Sequence, residues 1–144
     1  MKFYLAGPMS GLPQFNFPLF ERATQYLREV HGLEVVSPHE LDDPEIREMA
    51  LASPDGSPID QQGTWGDFLS RDVKIVADEV QGVILLHNWH MSRGARLEAF
   101  VGILCGHAFA RYVPGVGIEA LSAKLVLTQL VRFTHSELFN YEDL

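Results

Sequence analysis

Two carboxylates, Asp72 and Glu98, stand in segments whose other residues are mostly apolar. Asp72 belongs to a stripe of apolar positions that repeats at helical spacing from residue 65 to residue 76. Glu98 shares the stretch 95–105 with one other charged residue, Arg96. A buried carboxylate without a partner is costly, so we expect both acids to face something that needs them. Paired carboxylates can cleave a glycosidic bond when one attacks the anomeric carbon and the other acts as general acid and base.

The position of Glu98 suits a nucleophile, which must be ionised. Ser92 is the predicted N-cap of its helix, and the positive end of a helix dipole stabilises a nearby anion. The alternative is structural: Glu98 would neutralise Arg96 or Arg93, and Asp72 would cap a neighbouring helix. The spacing of the residues leaves both alternatives open.

Two turns rich in small residues offer backbone amides to a ligand. The turn Gly7-Pro8-Met9-Ser10-Gly11 follows a predicted strand, and Ser92-Arg93-Gly94 precedes a predicted helix. Glycine lets backbone N–H groups approach a phosphate or a sugar hydroxyl, so two such turns side by side favour a phosphate site. Neither has the form of a P-loop or of GxGxxG, and a tight strand-to-helix turn is the alternative. Trp89, in a polar loop, is the best candidate for a contact with a ligand.

Strands and helices alternate along the first half of the chain. Residues 2–6 and 33–37 are predicted strands, and Asn16 or Phe17 is predicted to cap the helix between them, which makes a βαβ unit. The segment 42–63 interrupts this alternation. A connection of that length is usually functional or mobile, so we expect either a lid over the ligand or a disordered loop.

The second half continues the pattern. The apolar run 83–86 predicts a strand buried on both faces, and 108–113 is a predicted last strand. A long helix is predicted over 117–133, before a tail, 134–144, without clear periodicity. We therefore predict an α/β fold in one domain, residues 1–144, with a doubly wound parallel sheet and helices on both faces. Such sheets bind ligands beyond the carboxyl ends of their strands.

Composition limits the classes of partner. The chain has 144 residues, is 47% hydrophobic and carries a net charge of −8, which argues against binding a nucleic-acid polymer. No signal peptide or apolar run long enough to cross a membrane is present, so we expect a soluble, cytoplasmic protein. The single cysteine, Cys105, is predicted to be a buried structural thiol. The histidines lack metal-ligand spacing, and neither a metal nor a cofactor is expected.

The motifs YLAGPMSG with NFPLF, FLSRD, and NW with SRGARLE resemble those of the nucleoside 2-deoxyribosyltransferase-like superfamily. The likeness is greatest to its small phage and bacterial members and covers about residues 3–106. The resemblance implies a flavodoxin-like fold. It also implies that Glu98 is the nucleophile, that Asp72 lies by the sugar, and that Tyr4 lies near the nucleophile.

Two branches of that superfamily differ in what accepts the sugar. Deoxyribosyltransferases pass it to a second base, whereas 2′-deoxynucleoside 5′-monophosphate N-hydrolases pass it to water. Ser92 and Gly94 match hydrolase positions that touch phosphate, but Ser10 stands where the hydrolases have an arginine. Ser92 also replaces the acid that transferases carry six residues before the nucleophile. By the same resemblance, Phe139-Asn140 near the C-terminus would complete a neighbouring subunit's site.

The expected activity is therefore cleavage of the N-glycosidic bond of a 2′-deoxynucleoside or its 5′-monophosphate. The alternatives are a non-catalytic module that binds or senses a nucleotide, and a glycohydrolase that acts on NAD. A homo-oligomer is expected, because the apolar positions of 117–133 cover more than one helical face. The residues expected at the sugar-phosphate end are Gly7, Ser10, Gly11, Ser92 and Gly94. The residues expected around the base are Asn16, Phe17 and Trp89.

Overall fold

The computed structural model describes residues 1–58 and 63–139 of the chain. Its centre is one five-stranded sheet in which the strands lie in the order β2-β1-β3-β4-β5. The first four strands in the sequence pair in parallel, and β5 pairs antiparallel with β4 at the edge. The strands are β1 (Lys2–Ala6), β2 (Glu34–Val36), β3 (Gly82–Leu85), β4 (Ala108–Val113) and β5 (Gly117–Leu121).

This strand order is that of flavodoxin-like folds, and it confirms the predicted doubly wound α/β architecture. The chain runs from β1 outward to β2 and then returns past β1 to β3. The order of the strands therefore reverses between β1 and β3, where a crevice opens at their carboxyl ends.

Helices cover both faces of the sheet. Against one face, α1 packs Phe20, Ala23 and Leu27 on Leu5 and Ile84. The opposite face is covered by residues of α3, α4 and α5, in a second apolar cluster around Tyr4, Val83 and Leu85. The helices are α1 (Phe17–His31), α2 (Pro44–Leu51), α3 (Trp65–Asp78), α4 (Arg93–Leu104) and α5 (Ala123–Phe139).

The two helices that carry the acids begin with side-chain caps, which are the predicted N-cap Ser92 at α4 and a capping box at α3. At α3, the Thr64 hydroxyl accepts from the Asp67 backbone N–H, and the Asp67 carboxylate accepts from the Thr64 N–H. At α4, the Ser92 hydroxyl accepts from the Ala95 backbone N–H at 3.2 Å. These bonds satisfy N–H groups that the first helical turn leaves unpaired, and they fix where each helix starts.

The prediction of one helix over 117–133 is wrong at its start. Residues 117–121 form β5, which returns along β4 with Arg111 opposite Glu119, and the two side chains form an ion pair. The turn VPGVG between these strands makes a hairpin, and Gly115 and Gly117 both have positive φ. The helix α5 then extends through residue 139 and so includes part of the predicted irregular tail.

The prediction of a buried cysteine is also wrong. Cys105 is exposed, because α4 ends at Leu104 and the chain turns at Gly106, whose φ is +73°. Leu97, Phe100 and Leu104 are likewise 38%, 40% and 71% exposed. The helix α4 therefore leaves one apolar side uncovered. In the described ranges, no helix is long and apolar enough to cross a membrane.

Candidate active site

A cavity of about 620 Å³ lies where the strand order reverses, beside the turns that follow β1 and β3. Its size is that of sites that bind small molecules. Gly7 allows the close approach there: a side-chain carbon at Gly7 would lie 2.8 Å from Leu86 Cβ, closer than two carbon atoms can pack. The first glycine turn therefore lies directly against the chain that leaves β3.

Asp72 and Glu98 both line this cavity, although they come from different helices. Asp72 projects from α3 and Glu98 from α4, and they are 8% and 7% exposed. Five of the residues predicted to bind substrate also line the cavity. They are Gly7, Ser10, Phe17, Ser92 and Gly94.

Four residues of the predicted site do not line the cavity. Tyr4 lies behind it, fully buried in β1. The Gly11 backbone N–H instead donates to the Gly56 carbonyl at 2.9 Å, and the Asn16 side chain donates to the Pro8 carbonyl at 2.9 Å. Trp89 is 6% exposed and packs in the core on the α4 side of the sheet, so the structure does not place the indole at a ligand.

Asp72 shares an arginine with a second acid. Arg71 Nε donates to Asp72 Oδ1 at 2.9 Å, and one terminal nitrogen donates to Asp42 Oδ1 at 2.8 Å. Burial raises the pKa of Asp72, and the hydrogen bond and charge of Arg71 lower it against that effect. The predicted alternative role for Asp72, as the cap of a neighbouring helix, is not observed.

Glu98 has no such partner among the described side chains. Its neighbour on the helix, Arg96, pairs instead with Glu137 of α5, and Arg93 lies with its guanidinium 5.4 Å from the centre of the Trp65 ring. Burial, followed by the charge of Asp72, raises the pKa of Glu98 well above its ordinary value. The structural alternative, neutralisation by Arg93 or Arg96, is therefore not observed.

The expectation that the helix dipole keeps Glu98 ionised also fails. The helix α4 begins at Arg93, so Glu98 lies in its second turn, where the effect of the dipole has largely faded. Loss of water is the larger effect, and it favours the protonated acid in the free protein.

Tyr4, on β1 behind the cavity, influences both acids. Burial and the nearby charges of Glu98 and Asp72 raise the pKa of the Tyr4 hydroxyl well above its ordinary value, so it stays neutral. Its interaction with each carboxyl group lowers the pKa of that group, against the larger effect of burial. No hydrogen bond of good geometry is formed by this hydroxyl among the described residues, so its proton is free to turn toward either acid.

Phe15 and Trp65, aromatic residues that the sequence offers for stacking on a base, line the cavity, and Trp65 is 56% exposed. Sequence reasoning missed the rest of the apolar wall, which consists of Met9, Ile46, Phe68 and Met91. Aromatic rings and methionines of this kind suit a flat heterocycle. Met9 and Met91 lie in or next to the two turns in the sequence, whereas Ile46 and Phe68 carry no such signal.

Phe15 reaches the cavity through an unusual backbone. Gln14, Phe15 and Asn16 have φ values of 55°, 51° and 59°, all in the left-handed region that side chains other than glycine rarely adopt. Backbone strain of this kind costs on the order of 1–3 kcal/mol per residue and concentrates at functional sites. The aromatic ring is thus held at the cavity against a local energetic cost.

The described part of the predicted lid borders the cavity. Asp42, Ile46, Ala50 and Pro58 line it, while residues 59–62 lie outside the described ranges. Two backbone hydrogen bonds, Gly11 to Gly56 and one from Gln14 N–H to the Ser53 carbonyl at 2.8 Å, dock the segment on the first turn. Gly56 is required at this contact, because a side-chain carbon there would lie 2.2 Å from the Leu12 oxygen.

The cavity and both acids lie in the part of the chain that a known family covers. A family model described as a domain of unknown function, DUF4406, matches residues 1–108. The chain belongs to the DUF4406 family. No curated protein sequence and no solved structure matches it.

The DUF4406 match includes Tyr4, Asp72, Glu98 and both small-residue turns, and it ends at the start of β4. The antiparallel strand β5 and the helix α5 lie beyond it. Of the described residues that line the cavity, Glu137 alone comes from that later part. Within the described ranges of this DUF4406 chain, no group of three His, Cys, Asp or Glu side chains is placed to hold a metal ion.

Proposed function

We propose that this DUF4406 protein cleaves the N-glycosidic bond of a 2′-deoxynucleoside or its 5′-monophosphate. The observation that carries the proposal is the pair of acids: Asp72 and Glu98 come from separate helices yet line one cavity, and Glu98 has no arginine partner there. A structural acid would be neutralised by a cation, whereas a reacting acid must be left accessible to substrate. The aromatic wall and the small-residue turns supply the remaining parts of a nucleotide site.

In the first step, a carboxylate oxygen of Glu98 attacks C1′ of the sugar. The bond from C1′ to the base nitrogen breaks, its electron pair goes to the base, and the base takes a proton from water or from Asp72. The product is an ester between C1′ and Glu98. Asp72, on the neighbouring helix, would also stabilise the positive charge that develops on the sugar ring.

In the second step, an acceptor attacks C1′ of the ester. When the acceptor is water, its oxygen bonds to C1′ while the Glu98 carboxylate leaves, and the proton passes to solvent or Asp72. When the acceptor is a second base, a ring nitrogen bonds to C1′ instead, the proton that the base loses passes to solvent or Asp72, and a new nucleoside forms. Both routes return Glu98 as a carboxylate, so hydrolysis and transfer share the first step.

The walls of the cavity are proposed to hold opposite ends of the substrate. Gly7, Ser10, Ser92 and Gly94 would bind the sugar-phosphate end through backbone amides and hydroxyl groups. Phe17, which also lines the cavity, would pack on the base. Arg93 adds a cation beside Ser92 and Gly94, where a 5′-phosphate would lie.

The direct test is to trap the ester on Glu98. A 2′-fluoro-arabinosyl nucleoside suits this purpose, because the electron-withdrawing fluorine slows loss of the sugar from the enzyme. Intact-mass and peptide mass spectrometry would locate the adduct. Parallel assays would measure base released from the common deoxynucleosides and their monophosphates, with and without an acceptor base.

We expect adduct on Glu98 and free base from at least one substrate in the wild type, and neither in Glu98→Gln. Glu79→Gln is the matched control, because Glu79 is exposed at the end of α3 and does not line the cavity. Binding of nucleotides without release of base would favour the sensing module. Release of nicotinamide from NAD, and of no other base, would favour the NAD glycohydrolase.

We also infer that the chain forms a homo-oligomer through the uncovered side of α4. Leu97, Phe100 and Leu104 repeat at helical spacing there, and Leu127 and Val131 of the adjacent α5 are 38% and 57% exposed. Light scattering would give the mass in solution, and Phe100→Lys should lower it to that of one chain. A wild type of one chain's mass at micromolar concentration would contradict this. The proposed role for Phe139-Asn140 in a neighbour's site lies outside the side chains that the structure describes.

A further inference from the structure

Three contacts hold the guanidinium of Arg71 in place. Nε bonds to Asp72, one terminal nitrogen bonds to Asp42, and the group lies 5.4 Å from the centre of the Phe68 ring. The Asp42 and Asp72 side chains are 10% and 11% exposed, and that of Arg71 is 31% exposed. A half-buried cation shared by two largely buried acids differs from a fully exposed ion pair, which contributes little to stability.

Arg71 joins two separate parts of the cavity wall. Asp72 belongs to α3, while Asp42 belongs to the segment that precedes α2 and borders the cavity. The two bonds come from different nitrogens of the guanidinium, whose planar fork presents its donors in fixed directions. A lysine has one nitrogen and cannot keep this geometry.

The charged and titratable groups that face Asp72 come from each neighbouring element. They are Arg71 on α3 itself, Asp42 from the segment that precedes α2, Tyr4 on β1 and Glu98 on α4. Arg71 alone among them is a cation. Arg71 and Tyr4 favour the ionised form of Asp72, whereas burial and Asp42 oppose it.

We propose that Arg71 is a positioning residue: anchored by Asp42, it holds the Asp72 carboxylate ionised and aimed at the cavity beside Glu98. The inference rests on the proposed function and narrows it. An ionised Asp72 accepts a hydrogen bond from a sugar hydroxyl and stabilises positive charge on the ring, and the departing base takes its proton from water. Asp42 sets how much of the charge of Arg71 is available to Asp72.

The test combines a titration without substrate and a rate measurement. The carboxyl carbon of Asp72 would be followed by ¹³C NMR against pH in the wild type, Arg71→Gln, Arg71→Lys, Asp42→Asn and Asp43→Asn. Asp43 is the matched control, because it is exposed, makes no side-chain cap for α2 and is the neighbour of Asp42 in the chain. The same variants would be assayed for kcat and KM.

Arg71→Gln should raise the pH at which Asp72 titrates, and Asp42→Asn should lower it, while Asp43→Asn leaves it unchanged. Arg71→Lys keeps the charge but loses the fork, so Asp72 should titrate closer to the wild type while kcat falls about 100-fold. Asp42→Asn and Arg71→Lys decide the question should Arg71→Gln not fold.

Equal titration of Asp72 in the wild type and in the Arg71 and Asp42 variants would overturn the inference, whatever the activity. So would a shifted titration with an unchanged kcat. A wild type that releases no base refutes the proposed function instead, because the titration needs no turnover and still reports whether Arg71 controls Asp72.

Discussion

The two acids differ in whether an arginine is bonded to the carboxyl group. On α3, Asp72 is bonded to an arginine that a second acid holds in place. On α4, Arg96 pairs with Glu137, and burial and the charge of Asp72 are the main influences on the pKa of Glu98. The fold thus offsets part of the cost of ionising Asp72, whereas the cost of ionising Glu98 is left with no arginine partner to offset it.

That difference separates the roles of the acids. Two carboxyl groups whose environments push their pKa values apart can serve as different partners in one reaction. Asp72 ionises more readily, so it suits a fixed negative charge. Glu98 is costly to ionise without water, and a carboxylate in such a place is a reactive nucleophile once formed.

The largest expected effect is a difference in activity between variants of the two acids. Glu98→Gln removes the nucleophile, so kcat should fall by about 10⁴-fold or more. Asp72→Asn keeps a polar group of the same shape and removes only its charge, so kcat should fall by about 100-fold. Release of base, followed by chromatography, measures both.

Equal losses in the two variants would remove the distinction between nucleophile and supporting acid. A larger loss in Asp72→Asn would reverse their roles. A fluorosugar adduct on Asp72 in Glu98→Gln would establish that reversal independently of the rates.

A smaller effect concerns pH. Attack needs the Glu98 carboxylate, and its pKa is raised, so kcat should increase as pH rises through that raised value. Tyr4 lowers the pKa of Glu98, so Tyr4→Phe should move this increase to higher pH. At a pH below the transition the variant should be about 3–10-fold slower than the wild type, and at high pH nearly equal to it.

Tyr112→Phe is the control for the pH profile, because Tyr112 is also buried but belongs to the core on the opposite face of the sheet. It removes a tyrosine hydroxyl without changing the cavity. A uniform loss of rate at every pH in Tyr4→Phe would indicate a packing role for the ring and no contact with the acids.

The parts of the fold that local patterns determine were predictable. The parallel strands, the caps at Thr64 and Ser92, and the place of Asp72 on the buried side of α3 all follow from spacing. The hairpin at 113–117 was missed, although its turn sequence carries glycines at the required positions. Apolar content favoured a helix there, and pairing with β4 decided otherwise, because strand formation depends on a distant partner.

At the site, too, local patterns predicted some features and contacts between distant segments determined others. Arg71 and Asp72 are adjacent on α3, so helical geometry directs their side chains about 100° apart. The long side chain nevertheless bends back to its neighbour. Trp89 lies in a loop that is polar in sequence, yet the single helical turn at 89–91 directs the indole into the core. Contacts between segments, which no local pattern encodes, decided both.

The smallest expected effect is on stability. In the unfolded chain Glu98 ionises near its ordinary pKa of 4.5, whereas in the folded protein it does so at higher pH. Between those values the folded state holds more protons, so the free energy of unfolding falls as pH rises through the window. Glu98→Gln escapes this loss and should have a higher melting temperature than the wild type at pH 7.5, by about 3 °C or more for each kcal/mol gained.

At a pH below 4.5 both states of the wild type hold the proton, so the advantage of Glu98→Gln should disappear. Asp72→Asn should give a smaller gain of the same sign at pH 7.5, because Arg71 already offsets part of the cost of burying that charge. Melting curves of the three proteins at both pH values test this order. If Glu98→Gln were less stable than the wild type at neutral pH, the Glu98 carboxylate would stabilise the folded protein. Its burial would then be explained by stability, without a catalytic role.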